Sequence, residues 1–129
     1  MKGSISNFIL AHQEAEYRRV SIFLADINQE RTFNPQYKEN LLKIRNFIMV
    51  KFLNDSVVIP RESEHFAFYA PNDTSRIITL QESALYQNDL LGLKILDQQS
   101  RLKFLESEGD HLRFTREWFI DNIIPLLKD

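Results

Sequence analysis

The chain has 129 residues, room for one compact domain with its own core and too few for two. Its 16 basic and 18 acidic residues leave a formal charge of -2, without the basic patch that a nucleic-acid partner needs, and 43% hydrophobic against 26% charged residues is globular rather than disordered usage. No apolar stretch approaches the roughly 18 residues of a membrane-spanning helix, and the absence of cysteine removes disulfides and thiolate metal sites.

The opening MKGSISNFIL holds one lysine and a broken apolar run, short of the roughly 7 to 15 apolar residues of a secretory signal. It implies a cytosolic chain or one whose true N-terminus lies elsewhere. Ile5, Phe8, Ile9 and His12 follow helical spacing and lead to the apolar group Ile22, Phe23, Leu24, so residues 5–27 read as one or two short helices. Asn34 can cap a helix with Pro35 at its first position and Tyr37, Leu41 and Ile44 at i, i+4, i+7, running to Arg45. FIMVKFL, residues 47–53, is short and nearly continuous in apolar residues, as a strand covered on both faces of a parallel sheet would be.

Beyond it the chain turns loop-like through NDSVVIPRESE, and APNDTSR reads as a compact turn before Ile77, Ile78 and Leu80. Tyr86, Leu90 and Leu93 repeat at helical spacing, although Gly92 weakens a helix there by roughly 1 kcal/mol relative to alanine. RLKFLES reads as a second short strand. Thr115 can cap a last helix with Phe119, Ile120, Ile123, Ile124 and Leu127 on one face, which Pro125 should kink or divide. Helix, strand, connection, strand, helix is the tail of an open α/β sheet.

Open α/β sheets place ligands and catalytic groups just beyond the carboxyl ends of their strands. Asp55 and His111 stand there, and they suggest the orienting acid and general base of a hydrolytic triad. A loop histidine exposed to solvent is the alternative. Asp110 competes for the acid role, but side chains of sequence neighbours diverge, so Asp55 is preferred and Asp110 is expected to bond a local backbone amide. A G-x-S-x-G nucleophile elbow needs two glycines four positions apart; Gly3, Gly92 and Gly109 provide no such pair. His12 and His65 read as surface or partly buried residues and, without an acidic pair at i, i+4, as no metal site. Trp118 reads as a core anchor for the last helix, and Ile22, Phe23 and Leu24 as either an acyl groove or core packing. No cofactor is called for.

From about residue 17 onward, IFLADINQER, YKENLL, MVKFLNDS, LGLK and EGDHL with EWF and IIP resemble the C-terminal part of palmitoyl-protein thioesterases. These are lysosomal enzymes that remove fatty acyl groups from cysteines of S-acylated proteins. The resemblance implies an α/β-hydrolase fold, of which this chain would form the C-terminal part with an incomplete sheet. Residues 1–34 would be a lid-like helical part and 35–129 the strand and helix part. It also implies a Ser-Asp-His triad whose acid, in FLND, falls on Asp55 and whose histidine, in EGDH, falls on His111. The serine elbow, oxyanion loop and first strands of the family have no counterpart in these residues. Ile59 and His65 stand where the family pattern has an acid and an aromatic, and EAEYRRVS lacks a sequon expected near its end. Asn54-Asp55-Ser56 and Asn72-Asp73-Thr74 are sequons, making Asn54 and Asn72 glycosylation candidates, with Asn54 turned outward when Asp55 faces the site.

The reading is thus a thioesterase portion that supplies acid and base, acts on fatty acyl thioesters, and is inert as an isolated chain for want of its serine. A non-catalytic fragment, mis-predicted frame or binding module is the alternative. Half an open sheet would also leave a strand edge and apolar surface prone to association.

Overall fold

The computed structural model describes residues 14–71 and 73–127. Two parallel strands organise it, β1 (Phe47–Phe52) and β4 (Leu102–Ser107), paired in register from Phe47 opposite Leu102 to Phe52 opposite Ser107. This is the α/β arrangement expected, a small parallel sheet with helices around it. Met49 and Phe52 of β1 are buried, one on each face of the strand, and its other four residues are partly buried, so both faces are covered in part, as its apolar run implied. The cross-strand partners Lys51 and Glu106 form an ion pair at 2.7 Å.

The helix α3 (Pro35–Leu41) begins where capping chemistry places it, with Asn34 Oδ1 accepting from Gln36 N at 3.0 Å. It ends before the expected Arg45, through tight turns in which Lys43 N donates to Asn40 O and Ile44 N to Leu41 O. The carbonyls released there are taken by Arg101, which donates to the backbone oxygens of Leu42, Ile44 and Arg45. The stripe of Tyr37, Leu41 and Ile44 still packs on the core, formed by Met49, Leu80, Leu91, Leu93, Leu96 and Leu102. Leu80, Leu93 and Leu96 lose essentially all contact with solvent.

Preceding α3, helices α1 (Glu14–Val20) and α2 (Leu24–Ile27) bear out short helices for this part of the chain, while Ile5, Phe8, Ile9 and His12 lie outside the described residues. Gln29 fastens α2 to α3 by accepting from Asn34 N and donating to Asn34 O, both at 2.7 Å. Core packing is not the role of Ile22 and Phe23, which are 83% and 68% exposed.

The chain between the parallel strands is more ordered than its loop-like sequence suggested. A 3₁₀ turn spans Arg61–His65, and β2 (Phe68–Ala70) pairs antiparallel with β3 (Asp73–Ile78). The stretch read as a compact turn is therefore largely a hairpin strand. Its residues Asp73 to Arg76 are exposed, so no burial alternation marked it as β. The single helical stripe expected around Tyr86 to Leu93 is two helices, α4 (Ala84–Gln87) and α5 (Leu93–Gln98). Gly92 separates them at φ 84, and a Cβ there would stand 2.8 Å from Leu42 Cδ2, so both its backbone and its neighbour require glycine. Thr115 caps α6 (Arg116–Asn122), accepting from Trp118 N at 3.1 Å, and the helical path resumes as α7 (Ile124–Leu127), divided around Pro125 as expected. Among the described residues no helix is long and apolar enough to cross a membrane.

Candidate active site

Both strands end in turns that meet. Asn54 N donates to Gly109 O at 3.3 Å, and Asn54 Nδ2 to Glu108 O at 2.5 Å, joining the turn after β1 to the loop after β4. Gly109 packs so tightly on this loop that a Cβ would lie 1.6 Å from Arg113 O. Asp110 adds a second tie: it accepts from Ser56 N and Ser56 Oγ, and from the adjacent His111 N at 2.7 Å. Those bonds, the His111 amide first, hold the Asp110 carboxyl below the usual range. Its side chain thus serves the backbone, as the sequence implied, and leaves the imidazole to another acid.

That acid is Asp55. His111 Nδ1 stands 2.8 Å from Asp55 Oδ2, across 56 residues of sequence. The Asp55 carboxylate is fully buried, while the His111 side chain keeps 34% of its surface exposed. Burial alone would raise the Asp55 pKa, but amide bonds from Val58 and Val57 to Oδ1, each 2.7 Å, together with the imidazole on Oδ2, bring it down to about 2. Asp55 is therefore a fixed anion, with one oxygen held by backbone and the other by the ring. A ring whose Nδ1 is so occupied presents Nε2 as its working nitrogen. This Nε2 makes no hydrogen bond among the described residues.

Sequence reasoning missed Glu64 on the 3₁₀ turn, whose carboxyl reaches the same place. Ligand-type atoms of Asp55, Glu64 and His111 lie within 4.8 Å of one another. Glu64 Oε2 accepts from Phe52 N at 2.8 Å, at the end of β1. This spacing could also suit a cation. However, Asp55 and His111 already share a hydrogen bond, which an ion between them would break. No local sequence pattern could have found Glu64, because its partners come from two separate segments, residues 52–55 and the loop of His111.

Of the other residues singled out, Asn54 is exposed beside buried Asp55, through a turn rather than strand alternation, and Asn72 lies outside the described residues. His65 is partly buried, 2.9 Å from Leu105 O through Nε2 and edge-on to Phe104 at 5.3 Å, so it fills an aromatic place. Trp118 is half-buried and joins no core cluster, contrary to expectation. Its Nε1 donates to Glu106 O, and Phe114 lies 6.1 Å away, beside an open cleft of about 1040 Å³ lined also by Leu53, Gly109 and Leu112.

Residues 3–111 match a family model described as palmitoyl protein thioesterase, a span that takes in both Asp55 and His111. The chain belongs to this family. Palmitoyl-protein thioesterase 1 of Caenorhabditis elegans is 43% identical over 113 residues, 88% of this chain and 38% of that protein. Palmitoyl-protein thioesterase 3 of Dictyostelium discoideum is 36% identical over 124 residues, 92% of this chain and 43% of that protein. Human lysosomal thioesterase PPT2 is 33% identical over 88 residues, 66% of this chain and 28% of its own length. The chain therefore spans less than half the length of these thioesterase relatives. Membership makes it part of a thioesterase hydrolase family with an α/β-hydrolase type of fold.

Proposed function

We propose that this chain carries the acid and base of a Ser-Asp-His acyl-transfer site that hydrolyses the thioester between a fatty acyl group and a cysteine of an S-acylated protein. The observation that carries the reading is the 2.8 Å bond between the buried Asp55 carboxylate and the Nδ1 of a histidine whose Nε2 makes no hydrogen bond among the described residues. The nucleophilic serine comes from sequence outside these 129 residues. His111 Nε2 takes its proton as the serine oxygen attacks the thioester carbonyl, and returns that proton to the departing cysteine sulfur. The same nitrogen then deprotonates water, which attacks the serine ester, and passes that proton to the departing serine oxygen as the fatty acid is released. Asp55 holds the ring in the required tautomer and stabilises the imidazolium without being protonated itself.

Apolar exposure supports a fatty acyl substrate: Leu112 and Phe114 border the cleft by the histidine loop, and Ile22 and Phe23 lie open on the lid-like part, residues 1–34. Relatives named lysosomal thioesterases support a lysosomal setting. Asn54 suits glycosylation, since its side chain is exposed and a glycan would leave one N–H for Glu108 O.

The test is a chimera in which this chain replaces the aligned stretch of the Caenorhabditis elegans enzyme. It should hydrolyse an S-palmitoyl peptide, and His111→Ala should lower kcat by about 10⁴-fold with the fold unchanged. A chimera whose turnover ignores His111→Ala overturns the assignment. The isolated chain should be inert, and His111-dependent turnover by it would refute the external serine.

A further inference from the structure

We infer that Glu64 is a positioning residue for the Asp55–His111 pair, clamping the strand end from which Asp55 hangs and setting a second carboxyl against the Asp55 carboxylate and the imidazole. The inference deepens the acyl-transfer reading and rests on it for its catalytic meaning. Its physical content can be tested without that reading.

The clamp is continuous. Glu64 Oε2 accepts from Phe52 N at 2.8 Å, and Phe52 O accepts from Asp55 N at 3.1 Å, so Glu64 holds the residue whose carbonyl closes the Asp55 turn. The 3₁₀ turn is itself fastened on either side of Glu64. Arg61 donates to Leu53 O, and His65 Nε2 reaches Leu105 O on β4. The turn thus bridges the carboxyl ends of both parallel strands, the two elements from which acid and base project.

The groups facing Glu64 are Asp55 from the turn after β1 and His111 from the loop after β4. Arg61 is committed to a backbone oxygen, and Lys51 of β1 to Glu106. Two carboxyls this close do not ionise independently. Asp55, with two amides and the ring, ionises first and is held near 2. Burial, and then the Asp55 charge, push Glu64 above its ordinary value against the opposing Phe52 amide. In acid Glu64 keeps its proton and faces the Asp55 anion as a donor. At higher pH it adds a second negative charge beside the imidazole.

Carbon-detected NMR titration of the side-chain carboxyls in the 129-residue chain tests this. In the wild type, the Glu64 carboxyl should titrate above the ordinary glutamate value of about 4.3, and the Asp55 resonance should show a second inflection at the Glu64 midpoint. Glu64→Gln keeps an acceptor for Phe52 N but cannot ionise. It should erase that inflection while leaving exchange of the Phe52 amide unchanged. Glu64→Ala should lose both, with Phe52 amide exchange about tenfold faster. A single-step Asp55 curve in the wild type, identical in Glu64→Gln, overturns the inference. If Glu64→Ala does not fold, the wild-type and Gln curves decide alone. None of these readouts needs a nucleophile, so a chimera inactive for other reasons leaves the result intact.

Discussion

The two ends of the parallel pair are held by different forces. At the amino end, where Leu102 begins β4, the strands rest on Leu80, Leu93 and Leu96, three side chains with essentially no exposure. Non-directional apolar burial underlies this end, with the Arg101 bonds to Leu42, Ile44 and Arg45 beside it. At the carboxyl end the contacts are directional: Asn54 to Glu108, Ser56 to Asp110, Asp55 to His111 and Glu64 to Phe52. Large apolar side chains there, Val57, Leu112 and Phe114, are exposed. Apolar burial tolerates small displacements, whereas a hydrogen bond of 2.8 Å fails when its partners turn. Stability and site geometry should therefore be separable by mutation.

The largest effect should come from the amino end. Leu96→Ala, at a fully buried position, should cost about 2–5 kcal/mol in denaturant unfolding and leave the downfield Nδ1 proton of His111 in place while the chain is folded. Loss of that resonance in the folded variant would break the separation.

Acid should act at the other end. The Asp55 pKa is depressed from 3.8 to about 2, so its contribution to stability is complete above 3.8 and fades as pH falls through about 2. Glu64 has the opposite sign, because a raised pKa favours the fold at low pH and loses that contribution as pH rises. Unfolding followed against pH in wild type and Asp55→Asn should show a steeper acid loss in the wild type. Parallel curves would mean that Asp55 is not a fixed anion. The smallest effect belongs to the α6 cap. Thr115→Ala removes the bond to Trp118 N and should lower stability by about 1 kcal/mol, read as a small drop in Tm.

What the sequence made legible divides along similar lines. The caps at Asn34 and Thr115, the division at Pro125 and the two parallel strands follow from interactions within a few residues, or from a run of apolar side chains. Asp55 and His111 could be proposed because strand ends are privileged positions, and the resemblance of FLND and EGDH to a known family pointed to the same residues. The hairpin of β2 and β3 was missed because an exposed polar strand looks like a loop until its partner is known. Helix α3 stops before Arg45, and the carbonyls beyond its end are taken by Arg101, 56 residues after Arg45 and invisible to a local pattern. Glu64 stayed hidden for the same reason, since its meaning lies in groups folded against it.

Trp118 gives this molecule a built-in optical reporter. It is the chain's one tryptophan, and its indole N–H is bonded to Glu106 O on β4, next to the loop that carries His111. Its emission therefore senses the hydrogen-bonded end and not the leucine core. Opening of the histidine loop would shift the fluorescence before circular dichroism registers any loss of helix, so one cuvette with two light paths can follow the two ends separately.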